Sequence, residues 1–389
     1  MKEELKGFLI RLWPLFLLFV GLPLFSFAIW HLLPGKKLDI LVINKTVINQ
    51  SYQEHAGLFW SLNHLKYKKS DGEFYQIDKD YLGFFPTGKQ DFGMSKDLKG
   101  KSQDEIRALV RQQDLLYIAD TYGVYEGDFS NRQNVQITKK IYGGLDYADL
   151  QMLRIAKEEG KVVVAEYNSI ASPTPKAIRT EFENLMGIKW TGWIGRYFDE
   201  LDTLVNGDIP GWMIRQYERQ HEIWNLSGPG LIFIKESGEI EAFVHTRDYE
   251  NKIPLIRTQK INKHGFKLPE VVPYPDWFDV VMIERDYQVI SYYDIAPTSQ
   301  GLQRMRSMGL PRFFPAAIVR NFEKGSQFYF SGDFSDIRGD FGSHRFYGMP
   351  TLWRGLYVAS DYTDRQSFFW NYYLPLVTQV LDKSKKESN

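Results

Sequence analysis

Four apolar stretches in this chain end abruptly in polar residues, and those ends hold most of the side chains able to do chemistry. LDILVI runs into Asn44, Lys45 and Thr46; DLLYIA into Asp120, Thr121 and Tyr122, with Tyr125 and Glu126 close behind; KVVVA into Glu166, Tyr167, Asn168 and Ser169; QFYF into Ser331, Asp333 and Asp336. Asp120, Glu166 and Asp333 are the candidate catalytic groups, since carboxylates at converging strand ends can serve as acid, base or acceptor for a hydroxyl. Asn44, Lys45, Thr46, Thr121, Tyr122, Tyr167, Asn168, Ser169 and Asp336 are the candidate ligand-binding groups. The same residue types cap helices and close turns at strand-to-helix junctions, so each has a purely structural explanation beside the functional one.

Several chemistries are excluded or weakened at once. The chain has no cysteine, which removes thiol nucleophiles, thiolate metal sites and disulfides. A serine triad through Ser169 needs a histidine in reach, and none of His55, His64, His221, His245, His264 and His344 stands in a G-x-S-x-G context. A glycosidase-like pair such as Asp120 with Glu166 needs only two carboxyl groups roughly 5–10 Å apart, which adjacent parallel strands can supply. Asp333, Asp336 and Asp340 carry oxygen ligands of the kind calcium or magnesium takes, but without EF-hand spacing, and zinc has no histidine pair. Solvated loop carboxylates are the better account, so no metal is expected. With no G-x-x-x-x-G-K-[ST] loop, and with Gly228-Pro229-Gly230 reading as a turn, no cofactor is expected either.

The elements that would position these residues follow from periodicity. Near-continuous apolar runs at Leu38–Val47, Leu115–Ala119 and the KVVVAE stretch read as strands buried on both faces of a parallel sheet. Capping boxes at Ser51/Glu54 and Ser102/Glu105, a helix start near Asp146, and Thr174 with Pro175 place helices between them; Gly160 and Gly187 end two of these. A short strand is expected near Tyr81 to Phe85. Strand alternating with helix implies right-handed crossovers and a mainly parallel α/β sheet with helices on both faces. Past residue 188 hairpins take over, around Glu236-Ser237-Gly238 and Glu323-Lys324-Gly325, with helices at 210–221 and 298–308. A broken aromatic helix from 364 to 381 reads as docked on the sheet. The expected divisions are an anchor (1–37), an α/β core (38–190), a mixed α/β insertion or second lobe (191–312) and C-terminal strands and helix completing the core (313–389).

The strand KVVVAEYNS, ending in a sharp turn before a helix, and the late segment KGSQFYFSGDFSD resemble the class I glutamine amidotransferase-like fold and its trehalose-utilisation-like branch. The resemblance covers roughly residues 38 to 190 and 314 to 381 and implies a flavodoxin- or amidotransferase-like architecture. In that superfamily the elbow carries a cysteine nucleophile; here the turn is Glu166-Tyr167-Asn168-Ser169. The resemblance therefore implies a degenerate member without glutaminase activity, and its links to sugar metabolism and envelope biogenesis make a carbohydrate an expected ligand.

Composition and charge set the location. Among 389 residues, 43% are hydrophobic and 25% charged, which excludes disorder as the main state; 48 basic against 48 acidic residues leave no surplus for nucleic acid. From Leu12 to Leu33 there is no charged residue, about the length that crosses a bilayer as a helix, and Pro14 and Pro23 are tolerated there. Ser26-Phe27-Ala28 would suit signal-peptidase cleavage, but the apolar run continues past it, so a retained anchor through residues 12–33 is expected, with Trp30 at the interface. Lys2, Lys6 and Arg11 before the segment nearly balance Lys36 and Lys37 after it. The expected topology is a single-pass cell-membrane protein with the bulk of the chain extracytoplasmic. Aromatic residues reach 15%, and Trp190, Trp193, Tyr197, Trp212 and Trp224 read as packing first and as a sugar platform second. Three functions stay open: binding or positioning an envelope carbohydrate or its biosynthetic machinery, a tethered glycan hydrolase, and a non-catalytic assembly module of a membrane complex.

Overall fold

The computed structural model describes residues 12–87, 93–129, 138–337, 342–356 and 365–388. Strands β1 (Ile40–Asn44), β2 (Leu82–Pro86), β3 (Gly93–Lys96), β4 (Leu115–Asp120) and β5 (Val162–Glu166) come from the first half of the chain. From the second half come β6 (Ile188–Phe198), β7 (Gly230–Lys235), β8 (Ile240–Val244), β9 (Leu255–Thr258), β10 (Val271–Pro273), β11 (Phe278–Ile283), β12 (Gln288–Asp294), β13 (Phe314–Asn321) and β14 (Ser326–Phe330). Ten of them form one sheet in the order β10-β9-β12-β13-β14-β5-β4-β1-β2-β3. Its middle five strands, β14-β5-β4-β1-β2, are parallel, and the flanking pairs are antiparallel. The sheet is therefore mixed rather than mainly parallel, because hairpin-connected strands from 255–321 extend it from one edge. Taken in chain order, the parallel strands follow the doubly wound arrangement 2-1-3-4-5, whose switch point lies between β1 and β4.

Alternation along each strand builds two cores. Ile40, Val42, Leu115, Tyr117, Val162 and Val164 face helix α1 (Gln53–His64) and the C-terminal helix α6 (Leu374–Ser388). Leu41, Ile43, Leu116, Ile118, Val163 and Ala165 face α2 (Gln103–Arg111), α3 (Tyr147–Glu158) and α4 (Lys176–Met186). A second sheet, β8-β7-β6-β11, turns Ile232, Ile240 and Ala242 onto the helix Gly211–Glu218, α5, with Met213 buried between them.

The local signals act unevenly. Ser102 and Glu105 cap α2 reciprocally, and Asp146 with Asp149 does the same for α3. Ser51 and Glu54 form no such box: α1 starts after Tyr52, which has φ 51° and no side-chain cap. Pro175 precedes α4, while Thr174 spends its hydroxyl accepting from Leu145 N. The C-terminal segment packs as expected, with Phe368, Phe369, Trp370, Tyr372 and Tyr373 buried ahead of α6. Of the central aromatic set, Trp190, Trp193, Tyr197 and Trp224 are buried and only Trp212 is exposed, so packing is what they do.

Among the described residues one helix, Leu12–Leu32, is long and apolar enough to cross a membrane, with a mean hydropathy of 2.2 and none of its most apolar 18 residues buried. Its end is fixed to the body. Lys66 Nζ donates to the carbonyls of Trp30 (2.9 Å), His31 (3.3 Å) and Leu33, supplying partners for the last turn. Trp30 is not at a lipid-facing surface: it is buried, and its indole N–H donates to His64 O at 2.9 Å.

Candidate functional site

The strand ends beside the switch point bring Asn44, Thr46, Asp120, Thr121 and Asn168 together. Gly83 lets β2 approach closely enough: a Cβ there, at φ 147°, would lie 1.6 Å from the Asn44 carbonyl oxygen. Thr46 Oγ1 donates to Asp120 Oδ1 at 2.5 Å, Tyr122 N to the same oxygen at 2.6 Å, and Asn168 Nδ2 to Asp120 Oδ2 at 3.1 Å. Asn168 sits at φ 64°, a left-handed position that Asn tolerates, and its carbonyl accepts from Thr121 Oγ1 at 2.9 Å. The sharp turn after β5 is thus centred on an amide side chain. Burial pushes the Asp120 carboxyl up to about 6 against its three donors, with Asp336 adding repulsion. Tyr122 is 45% exposed, and its ring lies 5.1 Å from that of Tyr125.

The other candidates face elsewhere. Asn44 donates through Nδ2 to His55 Nδ1 at 2.6 Å, and the far nitrogen of that ring meets Ile77 O at 3.0 Å. Burial pushes His55 down to about 4, so it is a neutral structural imidazole and no general base. Lys45 is buried against Asp149 (2.6 Å) and Asp146 (3.3 Å), so its charge is spent on the capping box of α3. Burial opposes that charge, yet the two aspartates hold its pKa above the ordinary lysine value. Tyr167 and Ser169 are buried, and Ser169 Oγ donates to the Glu166 carbonyl at 2.7 Å, which leaves no nucleophile there.

Glu166 occupies a closed position in place of the catalytic one expected for it. Phe334 N (3.1 Å), Ser335 N (3.0 Å) and Ser335 Oγ (2.9 Å) donate to Oε2, and Tyr117 OH donates to Oε1. Complete burial pushes its carboxyl up to about 8 despite those donors. Its partners are not those of Asp120: Glu166 is closed by Tyr117 and the 334–335 loop, Asp120 by Thr46, Tyr122 N and Asn168. Both carboxylates are buried and they share no hydrogen-bond partner.

Asp333 and Asp336 sit in a buried ionic knot. Arg365 donates to Asp276 and to the Asp333 carbonyl, and lies 3.9 Å from Asp336. Burial first, then Asp336, holds the Asp333 carboxyl well above the usual carboxylate range, with Asp120 contributing. Glu54 is pushed up to about 8 by burial, then by Asp336 and Asp120, and Asp279 to about 7 by burial and Asp120. The acidic set around Asp120 therefore includes Glu54 and Asp279, and Asp276 joins the Arg365 knot beside Asp333, none of which the strand-end pattern found. Asp279 had a sequence signal, a carboxylate inside the apolar strand FDVVMI; Arg365 had none.

Among the described residues no three His, Asp or Glu side chains gather in a way that could hold a metal ion, and Asp340 lies outside those residues. Cavities of about 760 Å³ and 620 Å³ open elsewhere, one between loop 259–269 and Pro375 and one beside Tyr75 and Leu82.

No family model and no curated protein matches the chain. Solved structures give distant likenesses. Agd3, a novel carbohydrate deacetylase, is 12% identical over 77% of this chain and 30% of its own length, with a TM-score of 0.24. A putative ThuA-like protein from Bacteroides uniformis is 9% identical over 79% of this chain and 88% of its own, with a TM-score of 0.31. The putative oxidoreductase YvaA from Bacillus subtilis, 9% identical over 92% and 98%, has a TM-score of 0.20. This chain spans less than a third of the deacetylase's length.

Proposed function

We propose that the chain is a membrane-anchored binding domain, held with its bulk outside the cytoplasm, that takes a hydroxyl-rich ligand of the cell envelope, a carbohydrate, at the β1/β4 switch point and has no glutaminase activity. One observation carries this reading. Asp120, a buried carboxylate fixed by Thr46, Tyr122 N and Asn168, is followed two residues on by the exposed Tyr122, whose ring lies 5.1 Å from that of Tyr125. A carboxylate offers about four acceptor sites, of which three are filled, and a flat aromatic face beside it suits the apolar face of a sugar ring. The absence of cysteine removes the glutaminase thiol. An assembly role with a vestigial pocket would need neither Tyr122 nor the spare acceptor.

A second reading, tethered glycan hydrolysis, draws on one pair: Asp120 and Asp333 both have carboxyls raised by burial, and each feels Asp336. One experiment separates the readings. Full-length protein in detergent micelles is titrated against a glycan panel beside Asp120→Asn and Tyr122→Ala. Binding predicts that each variant weakens affinity about tenfold or more, the loss of one charge-assisted hydrogen bond or one stacking face, with no product formed by any variant. Product formation by wild type that Asp120→Asn abolishes would establish hydrolysis instead, and no glycan affinity at all would discard both.

A further inference from the structure

The segment after the acidic knot returns to the anchor helix. Trp60 Nε1 donates to Gly342 O (3.2 Å), the His64 ring pairs with His344 O (2.9 Å), and the His344 ring packs on Trp30 at 5.8 Å. Ser26 Oγ then donates to Tyr347 O (2.6 Å), Tyr347 N donates to Ser26 O (3.2 Å), and the Phe27 and Phe346 rings meet at 5.7 Å. Ser26 lies six residues before Leu32, the last residue of the helix, so the segment touches it roughly 9 Å along the axis from its end.

A short helix, Met349–Leu356, follows. Its residues Met349 and Trp353, four apart, pack on the core, with Trp353 stacked 6.2 Å from Trp370. Its opposite side carries Thr351, Leu352, Gly355 and Leu356, with Leu352 and Leu356 exposed by 59% and 65%. The helix has one charged residue, Arg354, whose Nε donates to Trp370 O at 2.8 Å, toward the body. A surface helix in water ordinarily turns charged and polar side chains outward; this one turns out leucines, and its segment contacts the Leu12–Leu32 helix, which is apolar enough to span a bilayer.

We propose that residues 344–356 are a second membrane contact, with Leu352 and Leu356 seated in the interfacial layer of the leaflet from which the anchor emerges, the occupant of this face being phospholipid. The inference rests on Leu12–Leu32 being a span, because a span of that length places Leu32 at the bilayer boundary and Ser26 below it. The apolar face of an interfacial helix sinks only about 5–10 Å past the headgroups, which matches the depth at which Tyr347 meets the anchor. Together with the Lys66 cap, this contact makes the domain a body held at a set tilt on the membrane, with its strand ends presented in one orientation.

The cysteine-free sequence makes the test direct. Single variants Leu352→Cys, Leu356→Cys, Phe19→Cys and Ile223→Cys of the full chain are labelled with an environment-sensitive fluorophore in nanodiscs of phosphatidylethanolamine and phosphatidylglycerol. Quenching is read with doxyl-labelled lipid and with aqueous iodide. Labels at 352 and 356 should be quenched by doxyl lipid several-fold more than the label at 223, and protected from iodide. Labels at 352 and 356 that match 223, while Phe19→Cys is quenched by lipid, would overturn the docking and leave the anchor standing. Loss of lipid quenching at position 19 as well would overturn the anchor and the docking with it.

Discussion

Strands β4 and β5 lie side by side and end alike, apolar residues giving way to one carboxylate, yet the two carboxylates do different work. Glu166 points into the core between β5 and α6, takes four donors and ties the 334–335 loop to the sheet. Asp120, also buried, is held at its strand end by Thr46 and Asn168, two residues before the exposed Tyr122. The difference is one of partners: Glu166 is closed by Tyr117 and the 334–335 loop, whereas Asp120, which follows a register irregularity between β1 and β4, is held by the strand-end residues Thr46, Tyr122 and Asn168. A carboxylate after an apolar strand is thus as able to be a latch as a ligand group, and the covering layer decides which.

The largest test of this contrast is Glu166→Ala. It strands Tyr117 OH, Phe334 N, Ser335 N and Ser335 Oγ in the core, and should cost on the order of 3–5 kcal/mol in urea unfolding. A loss no greater than that of Asp120→Asn would erase the distinction drawn between the two sites.

Next in size is a pH effect. The Glu166 carboxyl moves from an ordinary 4.5 to about 8 in the fold, so the native state keeps a proton that the unfolded chain has released. Its contribution is full below about 4.5 and is lost as pH rises through about 8, with Glu54 (about 8) and Asp279 (about 7) acting in the same direction. Unfolding free energy should fall by a few kcal/mol from pH 5 to pH 8.5, and Glu166→Gln, which cannot ionise, should flatten part of that slope. A wild-type protein that grows more stable toward pH 8.5 contradicts the assignment.

Asp120→Asn should be milder, about 1 kcal/mol, since the amide oxygen still accepts from Thr46 and Tyr122 N and the Asn168 amide can rotate to meet the new donor. Smallest is Tyr122→Ala. At an exposed rim position its stability effect should stay within about 0.5 kcal/mol, while glycan affinity drops. A Tyr122→Ala variant that unfolds readily would make the rim part of the core and end its use as a ligand surface.

Much of the α/β half was legible because its signals are local. The runs ending at Asn44, Asp120 and Glu166, the caps at Ser102 and Asp146, and Gly187 at φ 65° each act within a few residues. The second half was harder. Hairpin spacing revealed strands at 314–319 and 327–330, read as completing the core, but not that β14 would pair in parallel with β5, since register between segments 160 residues apart leaves no local trace.

By itself the sequence determined chemistry and segmentation: no thiol, no charge surplus, one apolar stretch of spanning length, and polar residues at the ends of apolar strands. Tertiary structure decided exposure and partnership. Lys45 became the partner of Asp149, Glu166 a latch, Trp30 a buried joint and Asp120 the buried acceptor of Thr46. The physical reason is that residue identity sets what a group can donate or accept, whereas its solvation, and with it its charge state and reactivity, depends on which distant segments cover it.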